Sequence, residues 1–234
     1  MIIEKDKNRF MYIFKGLSVI FMYFFISLFK YAPFNLLHIN VQDVNENLLN
    51  IYNMTIEIIM IFIITSIYEK ELYKAAKDLK KNHKEYFDKY FKIYLFGLIT
   101  MIASNIIINT LGGGLSDNET AIRNEFQSFP IYTYISSVLL APILEELIFR
   151  LAIKSIIKND KIYILVSGLL FGSLHLIGMP LNKLFPLYLI SYSSCGLAFA
   201  YMTSKTNNVL TSTSFHFMHN GIIMSLQVLL LLFT

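Results

Sequence analysis

Apolar runs, many near twenty residues long, alternate with polar segments along this chain. FMYIFKGLSVIFMYFFISLF (10–29) contains one charged residue, Lys15, and IYNMTIEIIMIFIITSIY (51–68) contains one, Glu57. About 20 apolar residues at ~1.5 Å rise each cross a ~30 Å hydrocarbon core, so these runs read as transmembrane helices. Seven spans are expected, at roughly 10–29, 51–68, 91–111, 131–153, 162–178, 184–203 and 208–232, the last tilted or broken near Gly221. The first run is too long for the core of a signal peptide, and no small-residue cleavage site follows it, so it is expected to stay as a span. The predicted fold class is all-α: a polytopic membrane helix bundle of about seven helices. Polar stretches at 30–50, 69–90 and 112–129 separate the first four runs, and no internal repeat is visible.

Composition agrees. Of 234 residues, 55% are hydrophobic, with a mean hydropathy of +0.54. A single cysteine, Cys195, rules out an intrachain disulfide and reads as a small buried residue. The net charge of +4 gives no sign of a nucleic-acid partner, because the basic residues are placed as membrane topology places them. With the N-terminus inside, the inner segments hold Lys5, Lys7, Arg9, the eight lysines from Lys70 to Lys92, Lys154, Lys158, Lys161 and Lys205. The outer segments hold only Lys30, Arg123 and Lys183. This asymmetry predicts an inner N-terminus and an outer C-terminus. Tyr31, Tyr52, Tyr68, Tyr90, Tyr132, Tyr163 and Tyr201, near span ends, fit an interfacial belt. Segment 69–92 reads as a basic helix with Leu72, Ala76, Leu79, His83, Tyr86 and Tyr90 on one face. It suits either an anionic leaflet surface or a cytoplasmic linker.

Against that background, SSVLLAPILEELIFRLAI (136–153) is anomalous, because Glu145, Glu146 and Arg150 lie in an apolar run. Three such charges cost on the order of 7–10 kcal/mol before compensation. Glu146 and Arg150 are four residues apart in the favourable acid-then-base order and can pair on one helix face. Glu145 has Phe149 at that distance, so its partners must come from another helix. Pro142 removes a backbone donor and leaves the Val138 carbonyl without its usual bond. Other spans supply polar groups. VSGLLFGSLHLIG (166–178) places His175 on the face of Phe171, and its Gly168 and Gly172 permit close helix approach. VLTSTSFHFMHNGI (209–222) puts His216 and Asn220 on one face, with His219 beside them. By helix rise, Glu145 lies ~21 Å from the outer end of its span, His216 ~12 Å and His175 ~20 Å from the inner ends of theirs. Ionisable groups at such depth are functional candidates. A sheltered glutamate can act as general base on water, a histidine can orient that water, and a second histidine with an amide can stabilise an oxyanion. These are the parts of a peptide-bond hydrolase. Glu145, His175 and His216 also form a conceivable Zn2+ ligand set, although the H-E-x-x-H motif is absent.

E-E-x-x-x-R (Glu145, Glu146, Arg150), F-x-x-x-H (Phe171, His175) and H-x-x-x-N (His216, Asn220) occur in this order, each in its own apolar span. Together they closely resemble the CPBP family, the CAAX-protease and bacteriocin-processing enzymes. The resemblance covers roughly 130–230 and divides the chain into a 1–129 region of three spans, with the basic helix 69–92, and a 130–230 catalytic membrane core. It implies an intramembrane endopeptidase in which Glu145 and His175 activate water, His216 and Asn220 stabilise the oxyanion, and Glu146, Arg150 and Phe171 support the site. The family's glutamate–water chemistry implies no tightly bound metal; Zn2+ on Glu145, His175 and His216 is the alternative. The best-described relatives have eight spans, against seven here. The implied partners are the lipid bilayer and a membrane-associated peptide or protein, prenylated or of bacteriocin or pheromone type. A composition rich in Lys, Asn and Ile points to an integral protein of a bacterial cell membrane. Rival readings are a catalytically silent relative serving in immunity or as a scaffold, and a proton-coupled transporter. Transporters of that kind show paired broken helices in repeated halves, which are not found here.

Overall fold

A computed structural model describes residues 9–233, with side chains to residue 229. Lys5 and Lys7, counted above for orientation, lie outside the described residues. Among the described residues every regular element is helical. α1 (Arg9–Phe29), the short α2 (Ala32–Leu36) and α3 (Glu46–Ile67) open the chain. The Asn45 side chain starts α3 by accepting from the backbone N–H groups of Asn47 and Leu48. A single residue, Tyr68, then separates α3 from α4 (Glu69–Thr110). α5 (Asp117–Ser128) lies in the polar stretch before the charged run, capped by Ser116.

The charged run is one unbroken helical column over residues 130–156. It comprises α6 (Pro130–Ile135), a π-helical segment (Ser136–Leu140), α7 (Ala141–Glu145), a second π-helical segment (Glu146–Ala152) and α8 (Ile153–Ile156). α9 (Asp160–Leu174), α10 (Phe185–Thr206) and α11 (Val209–Phe233) complete the fold. Helices thus occupy all seven predicted segments. Three of them, α1, α3 and α4, are long and apolar enough to cross a membrane by length and composition.

Two boundaries and one buried face differ from expectation. The basic helix 69–92 and the third span are one helix of 42 residues, because nothing between Glu69 and Thr110 breaks the backbone pattern. Its buried face runs through Glu71, Ala75 and Tyr90, while Ala76 and His83 are exposed. The face is set by its partners: Lys15 of α1 pairs with Glu71 at 3.4 Å, and Asn208 donates to the Ala75 carbonyl at 2.8 Å. α9 ends at Leu174, so His175 caps that helix rather than lying deep within it. The turn that follows needs Gly178 at φ +89°, a left-handed conformation that glycine adopts freely.

The pairing of α9 with α10 rests on glycine. A Cβ at Gly172 would meet the Ser193 backbone nitrogen at 2.8 Å and Cα at 3.0 Å. A Cβ at Gly168 would lie 2.9 Å from the Leu197 Cα. Two backbones in near contact carry His175 towards the 130–156 column. On the other side α1 backs the column, where a Cβ on Gly16 would meet the Ala152 carbonyl at 2.6 Å. The main core gathers Val19, Ile64, Tyr68, Leu147, Ile148, Tyr163 and Phe171 around the charged stretch. Cys195 is buried, as expected.

Candidate active site

Glu145 ends α7, and the two histidines reach it from other helices. His216 Nε2, from α11, lies 3.6 Å from Glu145 Oε2; His175 Nε2, at the end of α9, lies 4.0 Å from Glu145 Oε1. Both distances exceed a direct hydrogen bond, and a water bonded to either pair would sit beside the line joining the two groups. Glu145 and His175 keep about a fifth of their side-chain surface open, at 22% and 21%, whereas His216 keeps 3%.

The other ring nitrogens fix the tautomers. His175 Nδ1 faces the Phe171 carbonyl at 2.8 Å, and His216 Nδ1 faces Glu146 Oε1 at 3.1 Å. Each of these oxygens accepts, so each Nδ1–H donates, and in the neutral ring Nε2 presents a lone pair towards Glu145. Two imidazole lone pairs and a carboxylate therefore converge without a donor between them. A water's two O–H groups serve two of these three acceptors, Glu145 and one imidazole, and a proton on Nε2 of the other ring, His216, supplies the remaining donor.

Behind this cluster lies Glu146, which is fully buried. Arg150 Nε is 3.3 Å from Glu146 Oε2, the i,i+4 pair anticipated from sequence. Ser212 donates to Oε2 at 2.5 Å and accepts from Thr203 at 2.8 Å. Arg150 also donates Nη1 to Ser167 Oγ at 2.7 Å and lies over the Phe171 ring at 4.9 Å. Glu146 therefore does more than neutralise Arg150: it holds the His216 ring. Aromatic rings complete the hold. Phe199 stacks on His216 at 4.9 Å, Tyr192 stacks on His175 at 5.0 Å, and Phe171 touches both histidines.

Asn220 has a different neighbour from the other candidates. Its Nδ2 donates to the Ser137 carbonyl at 2.8 Å. In the π register the Ala141 N–H bonds the Ser136 carbonyl, five residues back. The next donor in that register would be Pro142, which has no N–H, so the Ser137 carbonyl is freed. The Ser137 carbonyl is thus left for Asn220 because the helix is π and not α at this point. Ser136 beside it donates to Glu57 of α3 at 3.2 Å. His219 contacts the Tyr94 hydroxyl of α4 at 3.3 Å through Nδ1, a helix–helix contact outside the cluster.

Sequence reasoning missed Ser167, Ser212, Phe199 and Tyr192. Two left a signal: Ser167, Phe171 and His175 recur at steps of four, as do Ser212, His216 and Asn220. Glu145, His175 and His216 have the donor types of a zinc site. Their nearest atoms, however, divide between the two oxygens of Glu145 at separations above the ~3.3 Å that neighbouring ligands of a tetrahedral zinc subtend. Among the described residues no group of three or more His, Cys, Asp or Glu is arranged to hold a metal ion.

Residues 127–222 match the family model described as type II CAAX prenyl endopeptidase Rce1-like. An uncharacterised protein of Mycoplasma capricolum is 26% identical over 220 residues, covering 86% of this chain and 65% of that protein. A Bacillus subtilis protein named "Putative membrane peptidase YdiL" is 29% identical over 131 residues, covering 54% of this chain and 50% of that protein. The chain thus spans less than two thirds of the length of either relative. No solved structure matches it significantly.

Proposed function

We propose, for a chain that belongs through residues 127–222 to the CPBP family of CAAX-protease and bacteriocin-processing enzymes, that it is an intramembrane endopeptidase working by activated water. The observation that carries this reading is the convergence of Glu145 with His175 Nε2 and His216 Nε2, from three separate elements. A water lying between them donates one O–H to Glu145 and the other to the Nε2 lone pair of His175. Glu145 removes a proton from that water as its oxygen attacks the peptide carbonyl, and His175 orients it. The resulting oxyanion accepts from the Asn220 N–H that the Ser137 carbonyl leaves unused and from Nε2–H of His216. That second donor makes His216 the imidazolium from the outset, with Nδ1–H on Glu146 and Nε2–H towards the cluster, so the one proton taken from water goes to Glu145 and none has to be found for His216. Collapse of the tetrahedral intermediate breaks the C–N bond, and Glu145 returns the proton to the leaving amine.

The chain is an integral membrane protein of a protease-type family. The finer proposals are a multi-pass bundle of seven spans with the N-terminus inside, a 1–129 region supporting a 130–230 catalytic core, and a bacterial cell membrane as its home. The substrate proposed is a membrane-associated peptide, prenylated or of bacteriocin or pheromone type. Peptide mass spectrometry of cells expressing wild type or Glu145→Ala tests the reading. Peptides released only by wild type, sharing an apolar or lipidated flank, are expected. Identical peptide sets from the two strains would overturn it.

A further inference from the structure

Away from the carboxylate and histidines, α4 and α11 enclose a groove of about 460 Å3. Leu79, Phe87 and Phe215 give it an apolar wall, and His83, Lys84 and Thr211 give it a polar one. Thr211 is only 1% exposed, and its hydroxyl has no hydrogen-bond partner. His83 has Nδ1 against the Lys80 carbonyl at 3.1 Å, and its other nitrogen is uncommitted. Lys84 is exposed. The acid lining the groove, Asp88, is one turn farther along α4, and the nearby Tyr86 hydroxyl is committed to Asp78 at 3.0 Å. The Lys84 end is therefore cationic and the Asp88 end anionic.

The position narrows the occupant. The lysines of α4 end at Lys92, and the apolar stretch begins at Ile93. The groove lies on the lysine-bearing half, just before that change, where an apolar wall and a cationic end occur side by side. A phospholipid combines the two matching chemistries, and the run of lysines from Lys70 to Lys92 favours an anionic one.

We infer that this groove binds an anionic phospholipid of the adjoining leaflet, with its phosphate between Lys84 and the free ring nitrogen of His83 and its glycerol and acyl portion against Leu79, Phe87 and Phe215. The bound lipid is one residue from the histidine cluster. Phe215 stacks on Phe87 at 5.4 Å and precedes His216 in α11. Occupancy braces the segment of α11 that carries His216.

The test is native mass spectrometry of the full chain in mild detergent, titrated with phosphatidylglycerol, phosphatidylcholine or inorganic phosphate. Wild type and Lys77→Glu, the same charge reversal on α4 outside the groove, are expected to retain phosphatidylglycerol equally. Lys84→Glu is expected to lower its retention about tenfold or more, as removing and inverting one charge near a lipid phosphate should. His83→Ala is expected to lower retention with the fold intact by circular dichroism. Equal retention by Lys84→Glu and wild type, or retention of phosphatidylcholine as strong as that of phosphatidylglycerol, would mean unspecific boundary lipid and overturn the inference. Displacement by inorganic phosphate at equal concentration would make the ligand a soluble phosphate and overturn it too. So would a co-purified protein held at the groove in place of lipid.

Discussion

Glu146 carries a charge into a fully buried position, and three groups hold it: Arg150 at 3.3 Å, Ser212 at 2.5 Å and His216 at 3.1 Å. Removing one partner of such a pair strands the other. Arg150→Ala is therefore expected to lower stability by about 3–5 kcal/mol, read from unfolding in detergent, together with activity. Wild-type stability without activity would move Arg150 from support to chemistry. Ser212→Ala removes one hydrogen bond to a charged group, worth about 1.5–3 kcal/mol. Its loss should appear as a fall in turnover with little change in substrate affinity, since the serine reaches the reaction only through Glu146 and His216. The Glu146–Arg150 pair was legible because both residues share one helix face, and helical spacing is written in the sequence. Ser212 on Glu146 and Phe199 on His216 were not, because each joins two helices whose packing no local spacing encodes.

Among the elements, the π-helical turns decide where Glu145 points. Ser136 is tied to α3 through Glu57, and the Ser137 carbonyl to α11 through Asn220, so the segment leading into α7 is held from two sides. The sequence showed that Pro142 withholds a donor from the Val138 carbonyl but not that the Ser137 carbonyl is freed, because that depends on a π turn that leaves no mark in residue type. Asn220→Ala removes both this tether and the proposed oxyanion donor. Turnover should fall about 10²–10³-fold with residual activity, the usual effect of losing one such donor. Unchanged turnover would leave Asn220 as a tether alone. The α9–α10 contact was legible in Gly168 and Gly172. Gly172→Ala forces a Cβ to within 2.8 Å of the Ser193 backbone, and is expected to destabilise by about 1–3 kcal/mol in thermal unfolding. An unchanged midpoint would mean that α10 moves aside freely.

Across the whole molecule, the N-terminal helices and the site share one packing. α1 backs the charged column at Gly16, α3 holds Ser136, and α4 reaches both His219 and the α10–α11 turn. The helical segments were legible from hydropathy. The joining of the basic helix to the third span was not, since a charged stretch and an apolar one look like separate elements until the backbone between them proves continuous. Orientation is open to direct measurement. The basic half of α4 is expected on the cytoplasmic side. A cysteine replacing Lys80 should then resist an impermeant thiol reagent in intact cells, while one in 112–129 reacts; equal labelling would reverse the topology. The central claim, that Glu145 is the base acting on water, is tested by purified wild type and Glu145→Gln, matched for folding by circular dichroism and assayed on an apolar or prenylated peptide with and without chelator. Glutamine keeps the size but takes no proton, so cleavage is expected to fall by the ~10²–10⁴-fold that general-base catalysis contributes, with wild type unaffected by chelator. Full turnover by Glu145→Gln, or wild-type activity lost to chelator and restored by Zn2+, would contradict it.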